Sequence, residues 1–289
     1  MNYFNKLKYY LAETSIASIS KEVKNIDIPK NIEGLSKDEM NKQYPDIVDL
    51  YNKLISTIQN ASYEKSVKYI NNIIKDPKLK FLLRLNTKKD FNDLQLLLNE
   101  TVLPVKSLIP IQCEIGLKYT LDQISYTKDI KNYASNNIIN TSIVVFNHKY
   151  IIDGHHRWCK IFMINPNARI RVINISGNIS IIELLKSIQC AIAVNNDDLR
   201  LKSNKSNNIF TISEKKLYNR INKLPDKTLN DLKQIFEDPI QSLLNNCLMI
   251  QNVEKIPYRI YRNIMPQIPD DVLNKCFTWN NNFKNFFNM

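Results

Sequence analysis

The sequence predicts an α+β protein in which a small mixed sheet near the middle of the chain is flanked by helical N- and C-terminal regions. Three observations predict it. Apolar residues recur at helical spacing before residue 100 and again beyond Gly177, β-branched residues crowd the stretch between, and the junction at Asp153-Gly154 turns a strand pattern into a helical one. The expected partition is 1–100, 101–178 and 179–289.

In the first region, Ser36-Lys-Asp-Glu39 has capping-box spacing, and Val67, Ile70, Ile73 and Ile74 form one apolar stripe on a helix of roughly 62–75. Phe91, Leu94, Leu97 and Leu98 repeat the stripe and predict a helix that runs up to the middle region. Both stripes read as core packing. In the middle, Val102–Ile111 predicts a strand and Leu117–Tyr133 a helix, while Ile143–Phe146 and Tyr150–Ile152 flank the short loop Asn147-His148-Lys149 as a hairpin. Trp158, Ile161 and Phe162 then set a helical period, Asn165-Pro166-Asn167 breaks the chain, and Arg169–Ile175 alternates as a strand. Beyond Gly177, Ser180-Ile-Ile-Glu183 and Thr211-Ile-Ser-Glu214 both have capping-box spacing, and Lys202–Asn208 between them reads as an exposed linker. No helix-turn-helix signature stands out there.

Residues 148–158 hold all 3 histidines of the chain, and Gly154 is one of its 4 glycines. A strand that feeds a tight turn and then a helix start suits anions, because the first helical turn presents unpaired N–H groups and the positive end of the macrodipole. Arg157 adds a charge that forks onto phosphate oxygens, His155 and His156 offer groups that titrate near neutrality, and Gly154 lets a ligand approach the backbone. Taken singly, each has a structural explanation: Asp153 as an N-cap contributing about 1 kcal/mol, Gly154 as a turn residue, Arg157 as a surface charge. Taken together they describe a phosphate cradle, with His148 outside it as a turn residue. A carboxylate at Asp153 repels a phosphate on the same helix end, and a bridging Mg²⁺ or a substrate hydroxyl resolves that tension. A metal site built directly from His and Cys is not expected. Adjacent side chains point to opposite faces of a strand or lie about 100° apart on a helix, and the 5 cysteines show no CxxC spacing.

The segment Ile151-Ile-Asp-Gly-His-His-Arg-Trp158, preceded by Leu108-Ile-Pro-Ile-Gln-Cys-Glu114 and followed by a short helix and another strand, resembles the ParB/sulfiredoxin superfamily. The resemblance covers residues 101–178. It implies a nucleotide-binding domain in which Gly154, His155, His156, Arg157 and Gln112 hold the phosphates of ATP or CTP, or of ADP, with Mg²⁺ held through Asp153. Free serine kinases of this superfamily carry the same Asp-Gly-His-His-Arg form with a glutamate from the opening segment as base. Glu114 matches that glutamate, so Glu114, His156 and Asp153 become the catalytic candidates. Sulfiredoxins use a cysteine within the box, and none stands there in this chain. Partition proteins of the superfamily bind CTP and clamp DNA.

The formal net charge is +12 and the pI about 9.3, which favours polyanionic partners such as DNA. The charge is dispersed, with modest clusters at Lys21–Lys30, Lys202–Lys223 and Lys255–Arg262. Arg169 and Arg171 share one strand face, solvated or turned to a polyanion, and Arg259 and Arg262 lie in Tyr258–Ile268, which mixes basic and aromatic residues as single-strand binders do. A packed irregular segment tied down by Met265 and Pro266 is the structural alternative for that stretch. Trp279, Phe283, Phe286 and Phe287 are candidates for docking or oligomerisation. No apolar run reaches the eighteen or so residues that span a bilayer, and five scattered cysteines fit a reducing compartment, so the expectation is a cytoplasmic protein of a cell, or of a host cell or virion if viral. Three functions follow as expectations: an enzyme that transfers or hydrolyses a phosphoryl group, a nucleotide-gated nucleic-acid-binding protein, and a phage or viral structural protein that reuses the fold.

Overall fold

In a computed structural model, residues 16–29, 32, 35, 37–93, 96–134, 137–199, 201–203, 205–254 and 260–274 are described. They form an α+β fold whose chain divides by packing into two compact units. One takes in the described residues up to 93 and those of 178–199, the other the described residues of 96–177 and 201–274. The chain crosses between the units near residues 96, 178 and 201. The stretch 179–289 is shared: its first helix joins the N-terminal helices, and the remainder joins the sheet.

The first unit is helical. Residues 16–24 (α1) are followed by α2 (Lys37–Gln43), α3 (Pro45–Asn60), α4 (Tyr63–Ile73) and α5 (Pro77–Asp93), and α9 (Ile181–Asn196) packs against α3, α4 and α5. In α4 the stripe of Val67, Ile70 and Ile73 is buried, and Ser62 caps the helix by accepting the Lys65 N–H. Helix α9 starts with the expected capping box: Ser180 accepts the Glu183 N–H and Glu183 accepts the Ser180 N–H. Lys186 is 6% exposed, and its ammonium donates to the carbonyls of Gln59 (2.7 Å) and Ala61 (2.6 Å) at the C-terminal end of α3. A cation there satisfies carbonyls that the helix itself leaves unpaired. The capping box expected at Ser36 lies outside the described residues.

The second unit is built on a five-stranded mixed sheet of order β1-β5-β3-β4-β2. Strand β1 (Leu97–Pro104) runs antiparallel to β5 (Arg169–Ser176), β5 parallel to β3 (Ile138–Phe146), β3 antiparallel to β4 (Tyr150–Asp153), and β4 parallel to the two-residue β2 (Ile109–Pro110). Leu97 and Leu98 thus open a strand and do not continue a helix. Eight consecutive pairings with β5 outweigh the helical spacing of four leucine and phenylalanine positions, two of which (Phe91, Leu94) have no described side chain. The strand expected at Val102–Ile111 is interrupted by a short 3-10 turn at Val105–Ser107, and the long helix expected at Leu117–Tyr133 is two: α6 (Leu117–Ser125) and α7 (Lys131–Ala134).

The β3–β4 hairpin turns through Asn147 (φ 47°) and His148 (φ 59°), closed by the Lys149 N–H on the Phe146 carbonyl at 3.1 Å. Two successive positive φ values within the three-residue loop 147–149 give the chain the left-handed turn that hairpins favour. His148 is held there by the Asn174 side chain, which accepts the His148 backbone N–H at 2.7 Å and lies 3.2 Å from its ring nitrogen. It belongs to the turn, as expected.

Helix α8 (His155–Ile164) lies against the sheet with Trp158, Ile161 and Phe162 buried, and the Trp158 indole N–H donates to the Val105 carbonyl (2.9 Å). Helices α10 (Glu214–Ile221), α11 (Asp226–Leu232) and α12 (Pro239–Gln251) complete the layer, with α12 packed on α8. The α10 start has Ser213 as its N-cap without a side-chain bond, so the capping box expected from Thr211 does not form. The end of the expected linker is structured: Asn207 and Asn208 bond to the start of α6 and the loop before it. A short helix, α13 (Asp270–Asn274), lies against β3. No helix among the described residues is long and apolar enough to cross a membrane.

Lys186→Met keeps the aliphatic stem and removes the ammonium, leaving the Gln59 and Ala61 carbonyls without their donor. Urea unfolding of this variant should show a loss of about 2 kcal/mol, against a neutral result for an exposed lysine such as Lys42→Met.

Candidate functional site

Strand β4 ends at Asp153 and α8 begins at His155, so one residue makes the corner. Gly154 has φ +91°, and a Cβ there would lie 2.9 Å from Ile143 Cγ1 and 3.1 Å from the Ser142 carbonyl oxygen. Both the backbone angle and the closeness of β3 demand glycine. The N-cap position of α8 is Gly154 itself, with no side-chain cap, so Asp153 is not the cap residue. Its carboxylate instead takes the Arg157 guanidinium one helical turn on, Nη2 to Oδ2 at 2.9 Å.

The two histidines hold a loop. His155 is 3% exposed, and its Nε2 accepts the backbone N–H of Gln112 at 3.3 Å; His156 Nε2 accepts the backbone N–H of Gly116 at 3.1 Å. The loop from Gln112 to Leu117 is gripped on both flanks as well. The Cys113 N–H donates to Ile260, the Ile260 N–H to Ile111, and Leu117 and Ile209 exchange similar bonds with Asn207 and Ile115. Asn208 accepts the Ile115 N–H and donates to the Cys113 carbonyl. Gln112 turns its side-chain amide onto the carbonyl of Glu114. In this structure that bond braces the loop.

Pairing of Ile260 with this loop delivers Arg262, 106 residues distant in sequence, to His156: guanidinium Nη1 lies 3.2 Å from Nδ1. A neutral imidazole has one N–H. With Nε2 accepting from Gly116, that proton sits on Nδ1 and faces another donor. The arrangement has donors to spare: Nε of Arg157 and Nε of Arg262 are both buried and have no acceptor. Few buried polar atoms in folded proteins go unpaired, and both of these belong to guanidinium groups close enough to His156 to lower its proton affinity.

Burial drives the titration behaviour. It pushes Asp153 up to about 6, against the opposing pull of Arg157. It pushes His156 down to about 3, with Arg262 and Arg157 adding to the effect, and His155 well below its usual value. Arg262 is lowered by burial, partly offset by the charges of Asp153, Tyr119 and Glu114. Neither histidine therefore exchanges a proton near neutral pH, which corrects the role that their ordinary pKa suggests. Asp153 is the box residue that does.

The remaining expected site residues scatter. Glu114 is half-buried in the gripped loop, close enough to Arg262 for its charge to act there. Arg171 is paired with Glu100 on β1 at 3.3 Å, so its charge is answered within the sheet, while Arg169 is exposed at the strand's start. Arg262, expected among the nucleic-acid contacts, lies against His156 in the box. Arg259 and the C-terminal aromatics Trp279, Phe283, Phe286 and Phe287 lie outside the described residues. Among the described residues, no three His, Cys, Asp or Glu side chains converge as metal ligands would.

Sequence reasoning missed four participants. Tyr119 packs edge-on against His156 with centroids 5.7 Å apart, and Asp270 is near enough to raise Asp153. Lys160 and Tyr133 line a cavity of about 780 Å³ that also takes in Arg157, and they bond to each other at 2.9 Å. Only Lys160 had a legible signal, since it follows Arg157 by three positions on one helix face.

No family model matches this chain, and comparison with curated proteins and with solved structures finds no match either.

Gly154→Ala should cost about 2 kcal/mol from its left-handed backbone alone, visible as a lowered thermal midpoint. The unfolded chain protonates His156 below about pH 6.5 while the folded chain does not until about 3. That contribution is present in full above pH 6.5 and lost as pH falls, so His156→Gln should lose less stability than wild type between neutrality and mild acid in denaturant titrations.

Proposed function

We propose that Arg157, Arg262 and the start of α8 bind the phosphates of a nucleoside triphosphate, and that the protein is an enzyme of phosphoryl transfer or hydrolysis. The observation that carries this reading is the pair of buried guanidinium Nε groups without acceptors beside Asp153 and His156. A phosphate satisfies both, accepts from His156 Nδ1–H, and meets the helix N–H groups. The resemblance of the Asp153–Arg157 box to the ParB/sulfiredoxin superfamily supports the same reading.

The cavity beside Arg157 has the size of a small-molecule site. Tyr133 offers it a ring, and Asn132, Asn137 and Asn140 offer amides suited to the edge of a nucleobase. ATP and CTP are the first candidates, with ADP third. Asp153 and Asp270 are the carboxylates available to a Mg²⁺ that arrives with the phosphates, since one carboxylate bonded to an arginine does not hold the ion alone. Charge neutralisation by the two arginines supplies the electrostatic part of catalysis. Asp153, titrating near 6, orients or deprotonates the attacking group once ionised, with Glu114 in the adjacent loop as the alternative base.

Calorimetry with ATP, CTP and ADP, each with Mg²⁺, tests the reading. Binding of at least one is expected, and Arg157→Ala and Arg262→Ala should each weaken it at least about tenfold without unfolding the chain. Absence of binding by all three nucleotides overturns the proposal. Without Mg²⁺, affinity should rise as pH falls through 6, because protonated Asp153 no longer repels phosphate or occupies Arg157. Asp153→Asn should remove that part of the pH dependence.

A further inference from the structure

A second cavity, of about 560 Å³, lies in the same unit and shares Tyr126 with the one at Arg157. Its walls come from α6, α10, the start of α11 and residues 205–207, and the last of these are fastened to α6. The Leu117 N–H donates to the Asn207 carbonyl and the Lys118 N–H to the Ser206 hydroxyl, both at 2.9 Å. Five cationic side chains line it, Lys118, Lys205, Arg220, Lys223 and Lys227, against the single carboxylate of Asp122. They come from three stretches of chain: Arg220, Lys223 and Lys227 lie close in sequence, and the fold adds Lys118 and Lys205 to them. All five are exposed. Tyr126, at the end of α6, is 82% exposed, the most exposed large hydrophobic side chain among the described residues.

We propose that this cavity binds single-stranded nucleic acid, with the lysines and Arg220 on successive phosphates and the Tyr126 ring stacked on one base. Five converging cations call for a ligand with several negative charges, and a strand supplies one per nucleotide. An exposed ring beside them calls for an unstacked base, which a duplex does not offer. A concavity of this size admits a nucleotide or two of a strand, and a duplex spans it without entering. An anionic membrane, by contrast, meets a flat basic face, and here the charge lines a recess. None of these cations is among the side chains assigned to the nucleotide, so the two sites stand or fall separately.

The test is fluorescence anisotropy of an oligothymidylate of about 20 nucleotides with the full chain, over a salt series. Wild type should bind, with log K falling linearly in log salt by about 0.7 per phosphate neutralised. Arg220→Glu with Lys223→Glu should weaken binding at least about tenfold and flatten the salt slope, and Tyr126→Ala should weaken it roughly tenfold while leaving the slope alone. Circular dichroism of both variants, and nucleotide calorimetry of the Arg220→Glu/Lys223→Glu variant, should match wild type. Loss of nucleotide binding in Arg157→Ala with oligothymidylate retained keeps the two readings apart. The proposal is overturned if the strand does not bind at about 50 mM salt, if the variants bind as wild type does, or if a duplex of equal length binds as tightly. Preference for phosphatidylserine vesicles over the strand overturns it too.

Discussion

Two imidazole nitrogens that accept backbone N–H groups organise the second unit. His155 and His156 stand at the start of α8, and by taking the N–H groups of Gln112 and Gly116 they fix the loop that precedes α6. That loop is the template for two distant segments: Asn207–Ile209 pairs with one end of it and Ile260 with the other. The consequence is structural before it is chemical. Without a held loop, Arg262 has no reason to arrive at His156, and residues 205–207 have no anchor on α6.

The same bonds explain the electrostatics. An imidazole that accepts a hydrogen bond in a buried place gives up its proton affinity, because charging it would cost desolvation and break the bond. With both histidines neutral, the positive charge of the site resides on Arg157 and Arg262. Asp153 is the one nearby buried carboxylate, and burial outweighs its bonded arginine enough to bring its titration near neutrality. The result is a surplus of donors with one weak acid among them. The box thus divides its labour differently from what its composition suggests: Gly154 makes the corner, the histidines hold the loop, and the arginines carry the positive charge that the proposed function assigns to a phosphate.

Comparison of particular elements shows what was legible. The hairpin at Asn147-His148, the strand at Arg169–Ser176, helix α4 and the capping box at Ser180 follow from spacing within about a dozen residues, and all appear. Leu97 and Leu98 carry a helical spacing that their pairing with β5 overrides. The same kind of long-range pairing turns the end of an apparent linker into a wall of the basic cavity. Arg262 looks like part of a basic and aromatic tail and is in fact half-buried within the box.

The sequence by itself determined the α+β class, the position of the strand-to-helix corner and the clustering of Asp153, His155, His156 and Arg157, because each depends on neighbours along the chain. Only the tertiary structure decided which of those side chains are free for a ligand. Burial sets whether a histidine is charged, and pairing across about a hundred residues brings the second arginine; neither leaves a mark in local spacing. The five cations at the second cavity make the same point, since charges dispersed along the chain become one surface only where α6, α10 and α11 meet.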